Sequence, residues 1–310
     1  MNKKYIAAVV QAAAVPFNAE QSTDKAVALI SEAAKEGAKL IVFPEVFISG
    51  YPKGATFGVA VGRRTVEGRD AFREYYEGAV DVPGPITQRL GEAIAEAGVY
   101  CLIGVVERDG GTIYCTVLFF GPDGSLLGKH RKLMPTAAER LIWGFGDGST
   151  LPVFQTPLGN LGTVICWENY MPMLRMAMYS KGVTVYCAPT ADDRDTWVPS
   201  MQHIALEGRC YVLTACQYIT RSQFPEHYEV PLGDQVLMRG GSAIIDPLGK
   251  VLVGPNFEGE TILYTEIDQD NIIRSKLDFD VVGHYARPDV FRLEVNEEPA
   301  RPVIPMKNRS

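Results

Sequence analysis

Strand-like and helix-like segments alternate from the first residues of this chain, and this alternation limits the possible folds more than any other feature. A strand over residues 6–12 precedes apolar residues at helical spacing over 22–36 and a buried strand over 40–43. The second half repeats the alternation, with a strand over 163–166 before a helix over 172–181. Because no low-complexity linker interrupts the pattern, the sequence predicts one α/β domain built as a layered sandwich.

Turn signals and further periodic segments support the same architecture. Turns that contain proline followed two residues later by glycine separate strand-like runs near Pro122, Pro157 and Pro247. Further strands are predicted over 99–106, 113–119, 183–188, 211–217, 242–253 and 262–267, and further helices over 86–97, 197–209 and 269–277.

The C-terminal region differs in composition from the rest of the chain. A proline-rich stretch begins near Arg287, so we predict a folded domain over residues 1–285 and a C-terminal tail over 286–310. Two loops, over 55–62 and 221–237, are expected to set specificity and assembly.

Composition and charge exclude several classes of function. The chain has 310 residues, of which 46% are hydrophobic and 22% charged, as is typical of a globular protein with a large core. The net charge is −7, and the densest basic cluster runs only from Lys129 to Lys132, so neither nucleic acid nor an anionic membrane is expected as a partner. No run approaches the roughly 18 apolar residues of a membrane helix, and residues 6–15 are too broken for a secretory signal. We therefore predict a soluble, cytoplasmic protein.

Six cysteines are scattered along the chain without a pairing pattern. There is no Cys-x-x-Cys pair and no set of histidines with metal-ligand spacing, so neither a disulfide framework nor a metal site is expected. Most of the cysteines lie in apolar, strand-like runs, as Cys101 and Cys187 do, and these are interpreted as small buried hydrophobic residues.

Cys166 is the exception among the cysteines. Small and β-branched residues lead into it, and a helix that begins with Pro172 follows. This arrangement predicts a thiol at a sharp turn between a strand and a helix, beside the backbone N–H groups of a helix N-terminus. Such surroundings favour a thiolate, the form of cysteine that attacks electrophiles.

Three further charged residues follow predicted strands. Glu45 lies just past a buried strand, Lys132 lies at a strand end, and Glu139 follows seven residues later. Ligands of α/β proteins gather beyond strand ends. In such a set a thiol can attack a carbon bonded to nitrogen, a carboxylate can move protons, and a lysine can stabilise developing negative charge.

The sequence around these residues resembles the nitrilase branch of the carbon–nitrogen hydrolase superfamily. The matching blocks are FPE ending at Glu45, HRKLMPT from His130, ERLIWGFGDG from Glu139 and CWENYMP from Cys166, with later similarity in APTAD from Ala188, IALEGR from Ile204 and GHYARPDV from Gly283. The similarity spans nearly the whole chain in the family's order. The CWEN block is its most specific part.

The resemblance implies a fold and a set of residue roles. It implies an αββα four-layer sandwich forming a single domain, with Cys166 as nucleophile, Glu45 as general base and acid, Lys132 as charge stabiliser and Glu139 in support. No metal and no cofactor are implied. It also favours a homodimer or larger homo-oligomer with a contact through the helix from Met173 to Lys181, where methionines cluster.

Several other residues near the matching blocks are interpreted for the pocket or for the scaffold. His130 is expected to bond a backbone carbonyl, and Glu168 either orients a ligand or begins a helix, where acidic residues are favoured. Residues expected to bind substrate are Trp167, Tyr51, Trp143, Thr190 and Trp197.

The predicted reaction is hydrolysis of an organic nitrile to its carboxylic acid and ammonia, through a thioimidate and then a thioester on Cys166. An amidase or N-carbamoyl hydrolase would use the same Glu-Lys-Cys set, and a cyanide hydratase would release the amide. A catalytically silent scaffold protein is the alternative outside enzymes. The aromatic residues near the blocks indicate an apolar pocket without distinguishing aryl, arylaliphatic and aliphatic nitriles.

Overall fold

The computed structural model describes residues 3–228 and 235–303. In chain order, the strands within these residues are β1 (Lys4–Gln11), β2 (Ala38–Val42), β3 (Val80–Asp81), β4 (Tyr100–Asp109), β5 (Thr112–Phe120), β6 (Leu126–Arg131), β7 (Val153–Thr156), β8 (Gly159–Thr163), β9 (Val185–Thr190), β10 (Tyr211–Cys216), β11 (Tyr218–Thr220), β12 (Val236–Arg239), β13 (Ser242–Ile245), β14 (Val251–Asn256) and β15 (Thr261–Asp268). The α-helices are α1 (Ala19–Lys35), α2 (Val66–Glu77), α3 (Pro85–Ala97), α4 (Pro172–Ser180), α5 (Trp197–Gly208) and α6 (Asp270–Ser275).

Two large sheets form the centre of the molecule. The first has the strand order β15-β1-β2-β4-β5-β6, with β3 beside β4, and the second has the order β14-β13-β10-β9-β8-β7. Parallel pairs occupy the middle of each sheet, β1 with β2 and β2 with β4 in the first and β8 with β9 and β9 with β10 in the second. Antiparallel pairs extend the sheets to their edges.

Apolar side chains hold four layers together. Helices α1 and α3 pack on the outer face of the first sheet through residues such as Ile30 and Leu90. Helices α4 and α5 cover the outer face of the second sheet, with Met178 and Ile204 buried there. Between the sheets, side chains of β2 and β4 pack against those of β9 and β10. The prediction of a single-domain αββα sandwich is therefore confirmed.

Most predicted elements lie within a few residues of the observed ones, and the three proline-containing turns lie between β5 and β6, β7 and β8, and β13 and β14. The predicted strand over 163–166 is wrong at its end, because β8 stops at Thr163 and Cys166 begins a 3-10 helix. Helix α2 was not predicted. It fully buries only Gly68 and Tyr75, with Phe72 and Tyr76 partly buried against the core beside them. Thr65 begins it by accepting a hydrogen bond from the N–H of Gly68.

The C-terminal tail is mostly exposed over the part that the structure describes. Residues 286–303 lie outside helices and strands, and the backbone N–H of Ala300 donates to Asp147 Oδ2 at 2.7 Å. The rest of the predicted tail, 304–310, lies outside the described residues, as do 229–234 of the predicted 221–237 loop. The boundary at 285 stays a prediction. Over 3–228 and 235–303, none of the helices combines the length and the apolar character needed to cross a membrane.

Candidate active site

Glu45, Lys132 and Glu139 meet in a buried ion cluster between the two sheets. Lys132 Nζ lies 2.6 Å from Glu45 Oε1 and 2.8 Å from Glu139 Oε2. The side chains of Glu45 and Lys132 are fully buried, and that of Glu139 is 12% exposed. One ammonium group therefore bridges two carboxylates in a place where water does not screen them.

The loop after β2 carries Glu45 inward by passing close to β4. A Cβ atom at Gly104 would lie 2.3 Å from the carbonyl oxygen of Pro44, so the loop can cross the strand only because this residue is glycine. Val46, which follows Glu45, has a φ of 44°, a left-handed conformation that is uncommon for a β-branched residue. Gln217 fixes the loop from the second sheet by donating to the carbonyl oxygen of Glu45 at 2.9 Å.

Lys132 extends the pairing of β6 with β5 by one residue. Its backbone N–H donates to the carbonyl oxygen of Cys115 at 2.8 Å. Glu139 lies in the 3-10 helix Ala137–Leu141 and is held by two donors, the N–H of Thr136 to Oε2 and the hydroxyl of Tyr51 to Oε1, both at 2.6 Å. The second carboxylate is thus oriented before any substrate arrives.

Cys166 occupies a strained turn at the start of the 3-10 helix Cys166–Tyr170. Its φ is 50°, which a non-glycine residue adopts only when its surroundings impose it. Asn169 imposes it in part, because its side-chain amide donates to the carbonyl oxygens of Val164 at 3.0 Å and Cys166 at 2.8 Å. The hydroxyl of Thr190 donates to the sulfur of Cys166 at 3.2 Å.

The surroundings of Cys166 correct the expectation of a resting thiolate. Burial raises the pKa of the Cys166 thiol above its ordinary value, and the charge of Glu45 raises it further, while Lys132 acts in the opposite direction. The thiol is therefore protonated at neutral pH and needs a base at the moment of attack. The sequence could not give this result, since it located the turn but not the depth at which the sulfur lies.

The carboxylate and the ammonium group have shifted pKa values as well. Burial raises the pKa of Glu45, and Glu139 adds to the rise, although Lys132 opposes it. Burial alone would lower the pKa of Lys132, but nearby negative charge, of which that of Glu45 acts most strongly, outweighs it and the pKa lies well above the ordinary value. Lys132 thus stays a cation, while Glu45 is a carboxylate that gains a proton readily. Within the described residues its Oε2 is buried without a hydrogen-bond partner.

A cavity of about 190 Å³ opens onto this cluster. Cys166, Glu139, Tyr51 and Trp167 line it, together with Lys53, Thr136, Ala191, Asp192, Asp193 and Arg194. Glu45 and Lys132 do not reach its wall but lie behind Cys166 and Glu139. On the rim, Trp167 Nε1 donates to Asp192 Oδ2 at 2.8 Å, and the guanidinium of Arg194 lies 4.7 Å from the centre of the Trp167 ring.

The residues expected to bind substrate fall into two groups. Tyr51 and Trp167 line the cavity, and Thr190 contacts the sulfur. Trp143 is instead buried behind the cluster, with its ring centre 5.6 Å from Lys132 Nζ. Trp197 is a core residue whose indole N–H donates to Thr214, so neither of these two tryptophans lines the cavity.

Two features of the site were missed or underestimated from the sequence. Cys115, interpreted as an ordinary buried cysteine, lies with its sulfur 3.4 Å from Glu45 Oε1. His130 contacts the carbonyl oxygen of Thr150 at 2.6 Å, as expected, but its other ring nitrogen lies 3.0 Å from Glu168. The hairpin of β5 and β6 could have indicated Cys115, because Lys132 continues that pairing.

Metal binding has no visible basis in the part of the chain that the structure describes, where His, Cys, Asp and Glu side chains form no group of three that could hold an ion. All six cysteines are buried and free. The groups that the site presents are a thiol, two carboxylates and an ammonium group.

A buried acid–lysine–acid cluster behind a cysteine, between the sheets of an αββα sandwich, defines a hydrolase site of the kind that attacks carbon bonded to nitrogen. The chain belongs to the carbon–nitrogen hydrolase family, whose sequence profile matches residues 6–276. Among solved structures it is similar to the NitFhit protein of C. elegans, with a TM-score of 0.74 and 20% identity over 96% of this chain and 69% of that one. It is also similar to Nit3 of Saccharomyces cerevisiae, with a TM-score of 0.70 and 25% identity over 91% of this chain and 96% of that one.

Sequence relatives are much more similar than the solved structures. The chain is 63% identical to "Nitrilase blr3397" of Bradyrhizobium diazoefficiens, over 96% of this chain and 94% of the relative. It is 62% identical to an "Aliphatic nitrilase" of Sinorhizobium fredii, over 97% and 98%. A "Bifunctional nitrilase/nitrile hydratase NIT4A" of Lupinus angustifolius is 54% identical over 96% and 87%. The predicted membership of the nitrilase branch is confirmed.

Proposed function

We propose that this protein is a nitrilase that hydrolyses a small organic nitrile to the carboxylic acid and ammonia. Relatives with 62–63% identity over nearly their whole length carry that name. One observation carries the proposal at the level of chemistry: Cys166 and Glu139 open into one cavity, and Lys132 joins Glu139 to Glu45 directly behind it. This arrangement provides a nucleophile, a proton carrier and a fixed positive charge.

In the first half of the reaction, the sulfur of Cys166 bonds to the nitrile carbon. Glu45 accepts the thiol proton and delivers it to the nitrile nitrogen, which gives a neutral thioimidate. The ammonium group of Lys132 stabilises negative charge as it develops, without reorganisation, because two carboxylates already hold it in place. The raised pKa of Glu45 suits it to this transfer, since a carboxylate that takes up a proton readily is the better base.

In the second half, two water molecules enter in turn. As the first adds to the thioimidate carbon, Glu45 takes a proton from the water and passes it to the nitrogen. Glu45 then takes the hydroxyl proton of the tetrahedral intermediate and passes it to the same nitrogen, so that ammonia leaves and a thioester remains. The second water, deprotonated by Glu45, attacks the thioester and releases the acid, while the proton returns to the sulfur. Two waters are consumed for each nitrile, and the thiol is regenerated.

Residues beside the reacting groups have supporting roles in this proposal. Glu139 orients water and keeps Lys132 in position, and Tyr51 keeps Glu139 in position. Thr190 donates to the sulfur and so stabilises the thiolate that forms transiently. Trp167 and Tyr51 contact the organic part of the substrate along the cavity wall.

The alternatives differ in their products. An amidase or N-carbamoyl hydrolase would leave nitriles intact, and a cyanide hydratase would stop at the amide. The relatives' names favour acid formation, although the names of some plant relatives add nitrile hydratase to nitrilase. A silent scaffold protein would turn over none of these substrates.

The first experiment measures ammonia, amide and acid from panels of aryl, arylaliphatic and aliphatic nitriles and from the cognate amides. We expect ammonia and acid in equal amounts from at least one nitrile, with loss of all turnover in Cys166→Ala. Cys187→Ala, which changes an equally buried cysteine away from the cavity, serves as the matched control and keeps activity. Turnover that survives Cys166→Ala, or an acyl adduct mapped to another cysteine, contradicts the proposal.

The association of subunits is proposed on separate grounds. Tyr170, Met171 and Met173 expose large apolar side chains around the start of α4, and the side chain of Met173 is 71% exposed. We propose that subunits contact one another through this surface. We also propose, separately, that the protein is cytoplasmic. Light scattering of the protein and of Met173→Glu tests the contact, since a charge on this surface reduces the mass of the assembly.

A further inference from the structure

Glu168 is a buried carboxylate that the reaction above does not use. It is 1% exposed and follows Cys166 by two residues in the 3-10 helix. Three donors converge on its two oxygens: the backbone N–H of Leu133 at 2.6 Å, that of Ile165 at 2.9 Å, and the Nε2 of His130 at 3.0 Å. The two backbone donors are the unusual part, because they follow strands of different sheets.

Each backbone donor is the neighbour of a reacting residue. Leu133 follows Lys132 directly after β6 of the first sheet, and Ile165 precedes Cys166 directly after β8 of the second. A single carboxylate thus binds the chain on both sides of the gap between the lysine and the cysteine. The two segments are otherwise distant in sequence, and backbone N–H groups buried here have to find an acceptor.

His130 holds the carboxylate in its turn. Because a carbonyl oxygen only accepts, His130 Nδ1 carries the hydrogen directed at Thr150, so Nε2 donates to Glu168 in the imidazolium form. Burial acts to lower the pKa of His130, but the charge of Glu168 raises it above its ordinary value and so favours that form. Both residues are fully buried, so the pair is unscreened. His130 lies on β6 two residues before Lys132, and the pair therefore ties the lysine strand to the cysteine turn a second time.

We propose that Glu168 is a positioning residue, whose carboxylate sets the distance between Lys132 and Cys166 by binding the backbone N–H beside each of them. His130 orients that carboxylate. The inference rests on the proposed function for the roles of Lys132 and Cys166. It predicts that losing one acceptor oxygen displaces the sulfur relative to the ammonium group, and misplacement by about 1 Å lowers catalysis by about 100-fold.

The test compares Glu168→Gln with Glu107→Gln. Glu107 is an equally buried carboxylate bonded to two cations, but its partners all belong to the first sheet. In Glu168→Gln the side-chain NH2 faces a backbone donor, so one contact is lost. We expect kcat to fall by about 100-fold with KM nearly unchanged, while Glu107→Gln lowers the melting temperature and keeps kcat. Equal kcat per folded molecule in both variants overturns the inference.

A second pair of variants keeps the inference testable if Glu168→Gln does not fold. Glutamine at 130 can present an N–H near the position of the histidine Nε2, whereas alanine cannot. We expect His130→Ala to lose most of kcat and His130→Gln to recover a large part of it. Equal activity of the two variants contradicts the role given to His130 and Glu168.

Labelling of Cys166 separates this inference from the proposed function. The rate of iodoacetamide addition, followed by intact mass and corrected with Cys166→Ala, needs no nitrile. We expect Glu168→Gln to slow labelling by about 10-fold or more, because the sulfur moves away from its base, and Glu107→Gln to leave it unchanged. Absence of nitrile turnover in the unchanged protein refutes only the proposed function. Unchanged labelling together with unchanged kcat in Glu168→Gln refutes only the inference.

Discussion

Two clusters of buried charge lie on opposite sides of β6, and they are built differently. On one side, both oxygens of Glu107 accept hydrogen bonds, and the donors are Lys129, Arg131 and the hydroxyl of Thr116. On the other side, Lys132 is shared between two carboxylates, and within the described residues Glu45 Oε2 has no partner. Both oxygens of the central carboxylate are therefore bonded in the first cluster, whereas in the second one oxygen of Glu45 lacks a donor within the described residues.

The difference is visible in the pKa shifts of the two glutamates. Burial acts to raise the pKa of Glu107, but its contacts with Arg131 and Lys129 outweigh it and the pKa is lowered. For Glu45 burial prevails and the pKa is raised, with Lys132 only partly opposing it. A fully bonded carboxylate stabilises the fold and does not exchange protons near neutral pH. An incompletely bonded one is available for proton transfer.

The largest expected effect comes from replacing a lysine of one cluster, Lys132, and is compared with the same replacement in the other, Lys129. Lys132→Gln removes the positive charge behind Cys166, and we expect kcat/KM for the nitrile to fall by about 100- to 1000-fold. Lys129→Gln is the matched change on the other side of the strand and should leave kcat/KM nearly unchanged, because Glu107 keeps Arg131 and Thr116 as donors. Steady-state ammonia release measures both. Similar losses in the two variants would show that the clusters do not differ in function.

A smaller effect is expected from the hydroxyl that orients the second carboxylate. Tyr51→Phe leaves Glu139 without its donor at Oε1, and a hydrogen bond to a charged group contributes about 1.5–3 kcal/mol, so kcat should fall by about 10-fold or more. Tyr76→Phe is the control, since its hydroxyl donates to the carbonyl oxygen of Gly110 away from the cavity. A Tyr51→Phe variant as active as the control would remove Tyr51 from the site.

The smallest effect, and the sharpest for the comparison, is the pH dependence of stability. A carboxyl whose folded pKa is lowered, as in Glu107, stabilises the fold above its unfolded pKa of about 4.3, and this contribution disappears as the pH falls through the folded value. For Glu45 the folded pKa is raised, so its contribution falls as the pH rises from the unfolded pKa to the folded one.

Replacing each glutamate with glutamine removes its titration. Relative to the unchanged protein, Glu107→Gln should therefore lose more stability at pH 7 than at pH 4. The free energy of unfolding of Glu45→Gln, again relative to the unchanged protein, should be higher at pH 7 than at pH 4. Urea unfolding at both pH values measures the changes. A shift in the same direction for both variants would mean that the two clusters respond alike to protonation.

The fold was largely predictable because its signals are local. Alternating apolar periods located most strands and helices, and Pro-x-Gly sequences located three hairpin turns. Helix α2 was not predicted, because its apolar signal is confined to the spacing of Phe72, Tyr75 and Tyr76. The αββα order itself came from the resemblance, since the stacking of two sheets depends on contacts between distant residues.

The site was predictable in membership and less so in its electrostatics. The matching blocks identified Glu45, Lys132 and Cys166, which follow the ends of three separate strands, β2, β6 and β8. They could not indicate how deeply the thiol is buried, so the expected thiolate was wrong. Tryptophans are also ambiguous in sequence: Trp167 lines the cavity, while Trp197 lies in the core. The direction in which a side chain points and the depth at which it is buried are decided by packing between residues that are distant in sequence.

Gly104 shows how far from the reacting atoms this site can be disabled. It carries no functional group and lies in the middle of β4, yet one methyl group there would collide with the main chain of Pro44 and of Val46, 2.3 and 2.4 Å away. A natural variant with alanine at this position would push the Glu45 segment aside while leaving every polar side chain in the sequence intact. A family member can therefore lose activity through a substitution in a strand that contains none of the reacting residues, and a comparison restricted to charged residues would miss it.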